Sequence, residues 1–261
     1  MNRPTIEKIT ILGTGRLAHH LSSALAKAGM SIQQIFGRDK HKASTLAKKY
    51  SVNAVSRFDD LDPDADLYIL CIADQSIQEV VSHINIGHKL IIHTSGSVSM
   101  DVFKPHFINF GVFYPLQTFS KERNINFREI PVCIEASNSH NEAMLTFLAL
   151  KLSDKVQVVD SDTRLVLHTA AVFASNFVNF SYALAEDLLK TANLDFDLIR
   201  PLIKETADRV QEIKPGEAQT GPAIRNDQVT IEKHLDLLRN HEDYRLLYKK
   251  MTEMIKRKFK S

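Results

Sequence analysis

The feature that most constrains the fold is a glycine turn close to the start of the chain. The apolar run Ile9-Thr10-Ile11-Leu12 is followed directly by Gly13-Thr14-Gly15-Arg16-Leu17-Ala18. This order is typical of a strand, a tight turn and a helix start, where backbone N–H groups approach a pyrophosphate. The turn predicts a dinucleotide site built from Gly13, Thr14, Gly15, Arg16 and Leu17. A strand-to-helix turn that merely needs small residues is the alternative.

The residues after the turn complete a strand–helix–strand unit. A helix is predicted from Leu17 to Lys27, with apolar side chains on one face and Gly29 in the C-cap position. A second strand is predicted at Gln34–Gly37. The unit therefore has about the 30 residues expected of a dinucleotide-binding fingerprint.

The residue after the second strand indicates which dinucleotide is bound. NAD sites place an acid there for the ribose 2′-hydroxyl, whereas a 2′-phosphate needs a cation. Arg38 occupies that position, and Lys40 and Lys42 follow it. NADP is therefore predicted rather than NAD. The alternatives are a solvated basic loop and, for Asp39, a role as the N-cap of the next helix.

Alternating strands and helices continue to residue 159, and from Ser161 the pattern is helical only. We therefore predict an α/β fold, a doubly wound parallel sheet domain over residues 1–159 and an all-α domain over 160–261. Further strands are predicted at 66–73, 89–93, 109–113, 130–135 and 155–159. Helices are predicted at 41–50, 76–84, 197–211, 228–239 and Ser139–Leu152, the last with a capping box of Ser139 and Glu142.

Several strand ends should border one crevice, because ligands of open parallel sheets lie outside the carboxyl ends of the strands. Ala73 and Asp74 follow one strand, and Thr94 and Ser95 follow the next. We expect all four near the cofactor, with a turn role equally open for Thr94 and Ser95. Gln117, in a polar loop after a later strand, is a candidate substrate-binding residue.

A long uncharged stretch marks the start of the helical half. Residues 165–185 contain no charge, but their polar groups argue against a transmembrane span. At helical spacing, His168, Ser175, Asn176 and Asn179 share one face, and aromatic side chains share the opposite face. We predict a helix buried on both sides, with the polar face toward a cleft or a subunit interface. Satisfied core polar groups are the alternative.

An irregular loop at residues 214–227 offers further candidates. Arg225 suits a substrate carboxylate or phosphate, and Asn226 follows it as a second candidate substrate ligand. In the alternative reading, Asp227 caps the next helix and Arg225 pairs with it.

Composition and charge exclude several classes. With 261 residues and a net charge of +2, the chain offers no electrostatic reason to expect nucleic acid. Its two cysteines look like reduced core residues, and no cluster has metal-ligand spacing. The start runs directly into the first strand without room for a signal peptide. We therefore expect a cytoplasmic enzyme without a metal and without a membrane partner.

Motifs over nearly the whole chain resemble one family. They are Gly13 to Ala18, His93-Thr94-Ser95-Gly96, 114–119, 168–177 and 220–227. The chain resembles bacterial NADP oxidoreductases that join a Rossmann-like domain to an all-helical domain of unknown function. The resemblance implies kinship with pyrroline-5-carboxylate reductase, prephenate dehydrogenase and the 6-phosphogluconate or β-hydroxyacid dehydrogenases. Their helical domains commonly dimerise, which implies a homodimer through the helical domain.

The resemblance also shows a departure. The β-hydroxyacid relatives carry a Lys-x-x-x-Asn pair on the first long helix of the second domain. Asn176 matches the Asn, but Val172 stands in the Lys position. His168, one turn earlier, is the candidate acid/base in its place.

These observations together predict an NADP(H)-dependent oxidoreductase. It would act on a small polar carbonyl, hydroxyl or imine compound in the cleft between the domains. His168 would exchange the proton, Asn176 would orient the reacting atom, and Ser175 would contact the substrate. The alternative is a non-catalytic NADP(H)-binding sensor or scaffold. A methyltransferase is disfavoured, because its site usually has an acid where Arg38 stands.

Overall fold

Eight strands form one sheet in a computed structural model that describes residues 6–120, 123 and 125–259. The strands are β1 (Lys8–Leu12), β2 (Ser31–Phe36), β3 (Asn53–Val55), β4 (Leu67–Leu70), β5 (Leu90–His93), β6 (Phe110–Pro115), β7 (Val132–Ala136) and β8 (Val156–Val158). Their order in the sheet is β3-β2-β1-β4-β5-β6-β7-β8. From β1 the chain first adds β2 and β3 on one side and then adds β4 to β8 on the other side. The gap between β1 and β4 is therefore the topological switch point, where ligands bind in sheets of this kind.

Helices cover both faces of the sheet. The helices around it are α1 (Arg16–Lys27), α2 (Lys40–Lys48), α3 (Ile77–His83) and α4 (Ser139–Leu152). Alternate residues of one strand point to opposite faces. Accordingly, Ile9 and Ile11 join the apolar cluster that includes α1, α2 and α4, whereas Leu12 joins the cluster that includes α3. The doubly wound architecture is thereby confirmed.

Local structure departs from the sequence-based expectation at three places. β7 runs antiparallel to β6, and the described residues of the connection between them form only a short 3₁₀ turn, Phe127–Glu129, rather than the crossover helix that parallel strands need. β3 was not predicted, since three residues are too few to show an alternating pattern. Asn138, not Ser139, caps α4, with its side chain accepting the N–H of Asn141 at 2.9 Å.

The helical part begins with α5 (Ser161–Ala171). A π-helical turn, Val172–Phe177, leads to α6 (Val178–Thr191), α7 (Arg200–Glu212), the short α8 (Pro215–Ala218), α9 (Gln228–Leu237) and α10 (Glu242–Lys258). By its internal contacts the chain divides into a first unit, residues 1–176, and a second unit, residues 177–261. α5 therefore packs with the sheet unit. The domain boundary after residue 159 stays a prediction.

The aromatic face of this helical stretch is open in the single chain. Phe173 is 62% exposed and Phe180 is 54% exposed. The expectation that this face is buried within the chain is wrong. The helical spacing of the aromatic residues indicates a face that avoids water, but it does not indicate which surface covers it. Within the described residues, every helix is too short or too polar to cross a bilayer.

Candidate functional site

The glycine turn lies between β1 and α1, at the carboxyl edge of the sheet. Gly13 has a φ of +134°, and a Cβ placed there would lie 2.1 Å from the carbonyl oxygen of Cys71, which follows β4. A Cβ on Gly15 would meet no heavy atom within 4 Å. Gly13 therefore permits β1 and β4 to converge, while Gly15 leaves open space in front of the α1 N-terminus.

An open cavity of about 440 Å³ lies against this turn. Most of its lining residues lie at or just after the ends of β1, β2 and β4, and β1 and β4 flank the topological switch. Of the predicted cofactor-binding residues, seven line it: Gly13, Thr14, Gly15, Arg16, Leu17, Arg38 and Ala73. We call it the glycine-turn cavity. Residues distant in sequence thus meet at one edge, as the order of the strands requires.

Arg38 and Asp39 share the rim of this cavity but differ in their partners. The Asp39 side chain accepts the backbone N–H groups of His41 at 3.0 Å and Lys42 at 3.1 Å, so it caps α2. The hydrogen bond from Lys42 is the main cause that holds the pKa of Asp39 below its usual value. The role of Asp39 as an N-cap is confirmed. Its carboxylate is occupied by the helix, and the cations Arg16, Arg38 and Lys42 line the same cavity. Binding of a 2′-phosphate by Arg38 stays a prediction.

Three other predicted cofactor residues do not line the glycine-turn cavity. The Thr94 hydroxyl donates to the carbonyl of Leu70 at 2.9 Å, and the Ser95 hydroxyl accepts the N–H groups of Ser97 and Val98, each at 3.1 Å. The Asp74 carboxylate accepts the Ser97 hydroxyl at 2.6 Å. These side chains brace the loops after β4 and β5. Their contact with a cofactor stays a prediction.

A second open cavity, of about 590 Å³, lies between the carboxyl end of β6 and the helical residues up to 176. Its polar lining groups are Tyr114, Gln117, Thr118, His168, Ser175 and Asn176, and its other lining residues are Leu and Ala side chains and Val172. We call it the His168 cavity. It brings together four of the predicted site residues, His168, Asn176, Gln117 and Ser175. No lining residue among the described part of the chain carries a formal charge, with histidine taken as neutral.

Tyr114 and His168 form a hydrogen-bonded pair in this cavity. The Tyr114 hydroxyl lies 3.0 Å from His168 Nδ1, with the rings nearly perpendicular. Burial is the main cause that raises the pKa of Tyr114 to about 12. Tyr114 therefore stays a phenol at neutral pH and can donate to the imidazole.

Gly96 makes room for this pair. A Cβ at this position would lie 2.6 Å from His168 Nδ1 and 2.8 Å from Cζ of Tyr114. The loop after β5 can therefore approach both rings only with glycine here. From the sequence alone, Tyr114 has no assigned role and Gly96 is only part of a strand-end motif. The signal that could have found Gly96 is its place directly after the strand-end residues Thr94 and Ser95.

The loop after β5 also connects the two cavities. Ala73 lines the glycine-turn cavity, and its neighbour Asp74 accepts a hydrogen bond from Ser97. Gly96, next to Ser97, approaches His168.

A second connection runs through the loop after β6. The Thr118 hydroxyl lies 3.1 Å from the Ser175 hydroxyl, and Nε2 of His20 in α1 lies 2.7 Å from the carbonyl oxygen of Ser120. Both cavities thus lie in the first unit and share bracing loops.

Arg225 and Asn226 belong to the second unit. Asp227 caps α9 by accepting the N–H of Thr230 at 3.1 Å, and the bonds from Thr230 are the main cause of its lowered pKa. Asn226 has a positive φ of 52°, as expected in a tight turn before a helix. The capping role of Asp227 is confirmed, and substrate binding by Arg225 and Asn226 stays a prediction. Within the described ranges, no three His, Cys, Asp or Glu side chains are grouped to hold a metal ion.

Two family models match the chain. Residues 8–96 match the family described as NADP oxidoreductase, coenzyme F420-dependent. Residues 130–255 match a domain of unknown function, DUF2520. A comparison with curated protein sequences finds no match. The first model covers the strand ends that form the glycine-turn cavity, and the second covers the helix that carries His168.

Solved structures extend the comparison to almost the whole chain. A "putative NADP oxidoreductase" from Bacteroides fragilis is 41% identical, with 96% of this chain and 98% of that chain covered and a TM-score of 0.88. A reductive aminase from Aspergillus terreus, solved with NADPH and ethyl-5-oxohexanoate, is 14% identical, with 97% and 94% covered and a TM-score of 0.70. The 1-pyrroline-5-carboxylate reductase of Streptococcus pyogenes is 15% identical, with 95% and 98% covered and a TM-score of 0.61.

These comparisons differ in what they establish. At 14–15% identity, the aminase and the pyrroline-5-carboxylate reductase share the fold. The Bacteroides protein is similar enough over enough of the chain to establish the family. The chain therefore belongs to the family of NADP oxidoreductases in which a Rossmann-like domain precedes a DUF2520 domain.

Proposed function

We propose that the protein transfers a hydride between NADP(H) and a small polar carbonyl, hydroxyl or imine compound bound in the His168 cavity. The observation that carries this proposal is the Tyr114–His168 pair, 3.0 Å apart, in a cavity braced by the same loops as the glycine-turn cavity. A proton donor beside a dinucleotide site is what the reduction of a C=O or C=N group requires.

The residues of the glycine-turn cavity fit NADP. The open space in front of Gly15, together with the backbone N–H groups of the α1 N-terminus, suits the pyrophosphate. Arg38 would bind the 2′-phosphate, because the neighbouring carboxylate of Asp39 is already engaged with α2. When bound, NADPH supplies the hydride.

The residues of the His168 cavity would handle the proton and the orientation of the substrate. His168 gives a proton to the oxygen or nitrogen when hydride arrives at carbon, and accepts it in the reverse direction. Asn176, one of the polar lining residues, would orient the reacting atom, and Gln117 and Ser175 would bind other polar groups of the substrate. The lysine of the β-hydroxyacid pattern is replaced by Val172, so His168 is the ionisable group that lines this cavity together with Tyr114.

The experiment is a turnover screen with a matched set of variants. The wild-type protein is incubated with NADPH and a panel of small imines, ketones and aldehydes, and incorporation of deuterium from labelled NADPH into product is measured. His168→Ala should lower kcat strongly, and Asn176→Ala should lower kcat/KM. Thr169→Ala, on the same helix but outside the cavity lining, should leave both unchanged.

The same screen addresses the non-catalytic alternative. Tight NADPH binding without deuterium transfer to any compound would favour a sensor or scaffold protein. Turnover that survives both His168→Ala and Asn176→Ala would contradict the roles proposed for these side chains.

The protein is further proposed to be a homodimer through its helical part. α6, α7 and α10 all carry large apolar side chains that are exposed in the single chain, among them Phe180, Leu202 and Leu246. Exposed apolar surface of this extent marks an interaction surface. A second copy of the chain would cover it, because the same apolar face can pair with itself across a two-fold axis.

A further inference from the structure

Arg164 is the most deeply buried cation among the described residues. Its side chain is 1% exposed and lies in α5, one helical turn before His168. The guanidinium pairs with Glu135 of β7 and donates to the carbonyl of Val98 at 2.7 Å. Both terminal nitrogens of the guanidinium are hydrogen-bonded, whereas Nε has no partner among the described residues. A buried guanidinium is costly unless it is paired, and here Glu135 supplies the opposite charge.

The ion pair is part of a clamp on the first turn of α5. Glu135 accepts the backbone N–H of Ser161 at 3.0 Å and its hydroxyl at 2.8 Å. The Ser161 hydroxyl oxygen in turn accepts the N–H of Met100 at 3.0 Å and a second bond from Arg164 at 3.1 Å. The clamp joins the end of β7, the start of α5 and the segment after β5 that contains Gly96.

Several ionisable groups surround the guanidinium. Burial raises the pKa values of Tyr114 in β6 and Cys133 in β7. The charge of Arg164 acts in the opposite direction and lowers both pKa values by a smaller amount. His93 of β5 and Asp160 before α5 sense it as well, while Asp74 raises the pKa of Tyr114. For Tyr114 the effect of Arg164 is smaller than those of burial, Cys133 and Asp74, which all raise the pKa, so Tyr114 stays a phenol beside the guanidinium.

We propose that Arg164, through its pair with Glu135, is a positioning residue that holds His168 Nδ1 against the Tyr114 hydroxyl. Residues four apart on a helix lie one above the other, so fixing the Arg164 side chain fixes the turn that carries His168. Buried ion pairs often add little to stability compared with apolar residues of similar volume. The role of this pair is the placement of the proton donor. The inference rests on the function proposed for His168.

The test reads the Tyr114–His168 hydrogen bond directly and needs no substrate. The protein is labelled with ¹⁵N-histidine, and the His168 ring signals are assigned with His168→Gln. Tyr114→Phe defines the signal of His168 without its partner. Arg164→Met with Glu135→Gln removes both charges, so that no unpaired charge stays buried, and thermal unfolding confirms that the double variant folds.

The double variant should move the His168 Nδ1 signal at least half of the way to its position in Tyr114→Phe, at a temperature well below Tm. The single variant Arg164→Lys keeps the charge and should restore most of the wild-type signal. An unchanged His168 signal in a folded double variant would overturn the inference, even if Tm fell. If the double variant does not fold, the same comparison is made with Glu135→Gln alone, in which an unchanged His168 signal would overturn the inference.

A kinetic readout separates this inference from the proposed function. With a substrate in hand, the double variant should lower kcat more than it raises KM. Absence of turnover in the wild-type protein would sink the proposed function, whereas the ring signals would still decide the positioning role. Turnover with unperturbed ring signals in the double variant would sink the positioning role alone.

Discussion

At the scale of single residues, Arg38 and Asp39 show how neighbours divide their tasks at a strand end. The Asp39 carboxylate caps α2, so the preference for NADPH over NADH should depend on Arg38. Arg38→Ala should weaken NADPH binding by about 10- to 150-fold, the equivalent of about 1.5–3 kcal/mol for a hydrogen bond to a charged group. Fluorescence titration with both cofactors measures this change.

NADH is the internal control for this prediction, because it lacks the 2′-phosphate. Its affinity should be the same for Arg38→Ala and for the wild-type protein. Equal loss for both cofactors, or no loss for either, would show that Arg38 does not read the phosphate.

The buried residue His93 should make stability depend on pH. It is fully buried against Phe103, and burial is the main cause that lowers its pKa from 6.5 to about 3. Between these values the unfolded chain binds a proton that the folded chain excludes. The free energy of unfolding should therefore fall as pH drops from 6.5 toward 3, by up to about 1.4 kcal/mol per pH unit from this residue.

His93→Gln removes this contribution and keeps a polar side chain. Urea unfolding at a series of pH values should show a shallower decline for the variant than for the wild-type protein. The comparison concerns slopes, because the variant also changes packing. Parallel slopes would mean that His93 does not titrate in this way.

Single residues also show where sequence reasoning reaches its limit. His168 and Asn176 could be selected because an uncharged polar face on a long helix is unusual. The partnership of His168 with Tyr114 could not, since the two are 54 positions apart and belong to different elements. Likewise, Arg164 and Glu135 are 29 positions apart, and their buried ion pair becomes visible only in the folded chain.

At the scale of elements, the turn between β1 and α1 offers a matched pair of variants. Gly13→Ala forces a Cβ to within 2.1 Å of the Cys71 carbonyl oxygen at a positive φ, so it should destabilise the sheet by more than the roughly 1–3 kcal/mol of backbone strain. Gly15→Ala places its methyl group in open space, so Tm should stay close to that of the wild-type protein.

Of the two variants, Gly15→Ala should lose cofactor affinity without losing the fold. Gly15→Ala should bind NADPH about tenfold or more weakly, which is about 1.4 kcal/mol, while it stays folded, because its methyl group fills the space proposed for the pyrophosphate. Thermal unfolding and cofactor titration together give the comparison. Normal NADPH affinity in Gly15→Ala would place the pyrophosphate elsewhere.

The succession of elements was largely predictable. Where a helix or buried strand is long enough to show a periodic pattern of apolar residues, its predicted ends lie within a few residues of the observed ends. The helix Ser139–Leu152 matches its expected bounds. The antiparallel pairing of β6 and β7 was not expected, because it depends on how the chain returns and not on the strand sequences. The capping residue of α4 was misplaced by one position, since Asn138 and Ser139 are both good caps.

At the scale of the whole molecule, the exposed apolar faces predict the assembly. Light scattering coupled to gel filtration should give the mass of a dimer for the wild-type protein. Phe180→Asp and Leu202→Asp, which place charges in exposed apolar positions of α6 and α7, should shift the mass toward the monomer.

Lys204→Ala, at a highly exposed position of α7, is the control and should remain dimeric. A monomeric wild-type protein, or a dimer that resists both charged substitutions, would contradict an interface through these helices.

A crystal structure of the protein with NADPH would show directly whether the two cavities of the first unit form one reaction centre. We expect the 2′-phosphate at Arg38, the pyrophosphate at Gly15, and the nicotinamide ring beside Gly96 with its reactive face toward the Tyr114–His168 pair. A nicotinamide ring that points away from the His168 cavity, with the adenosine end bound as expected, would contradict this expectation.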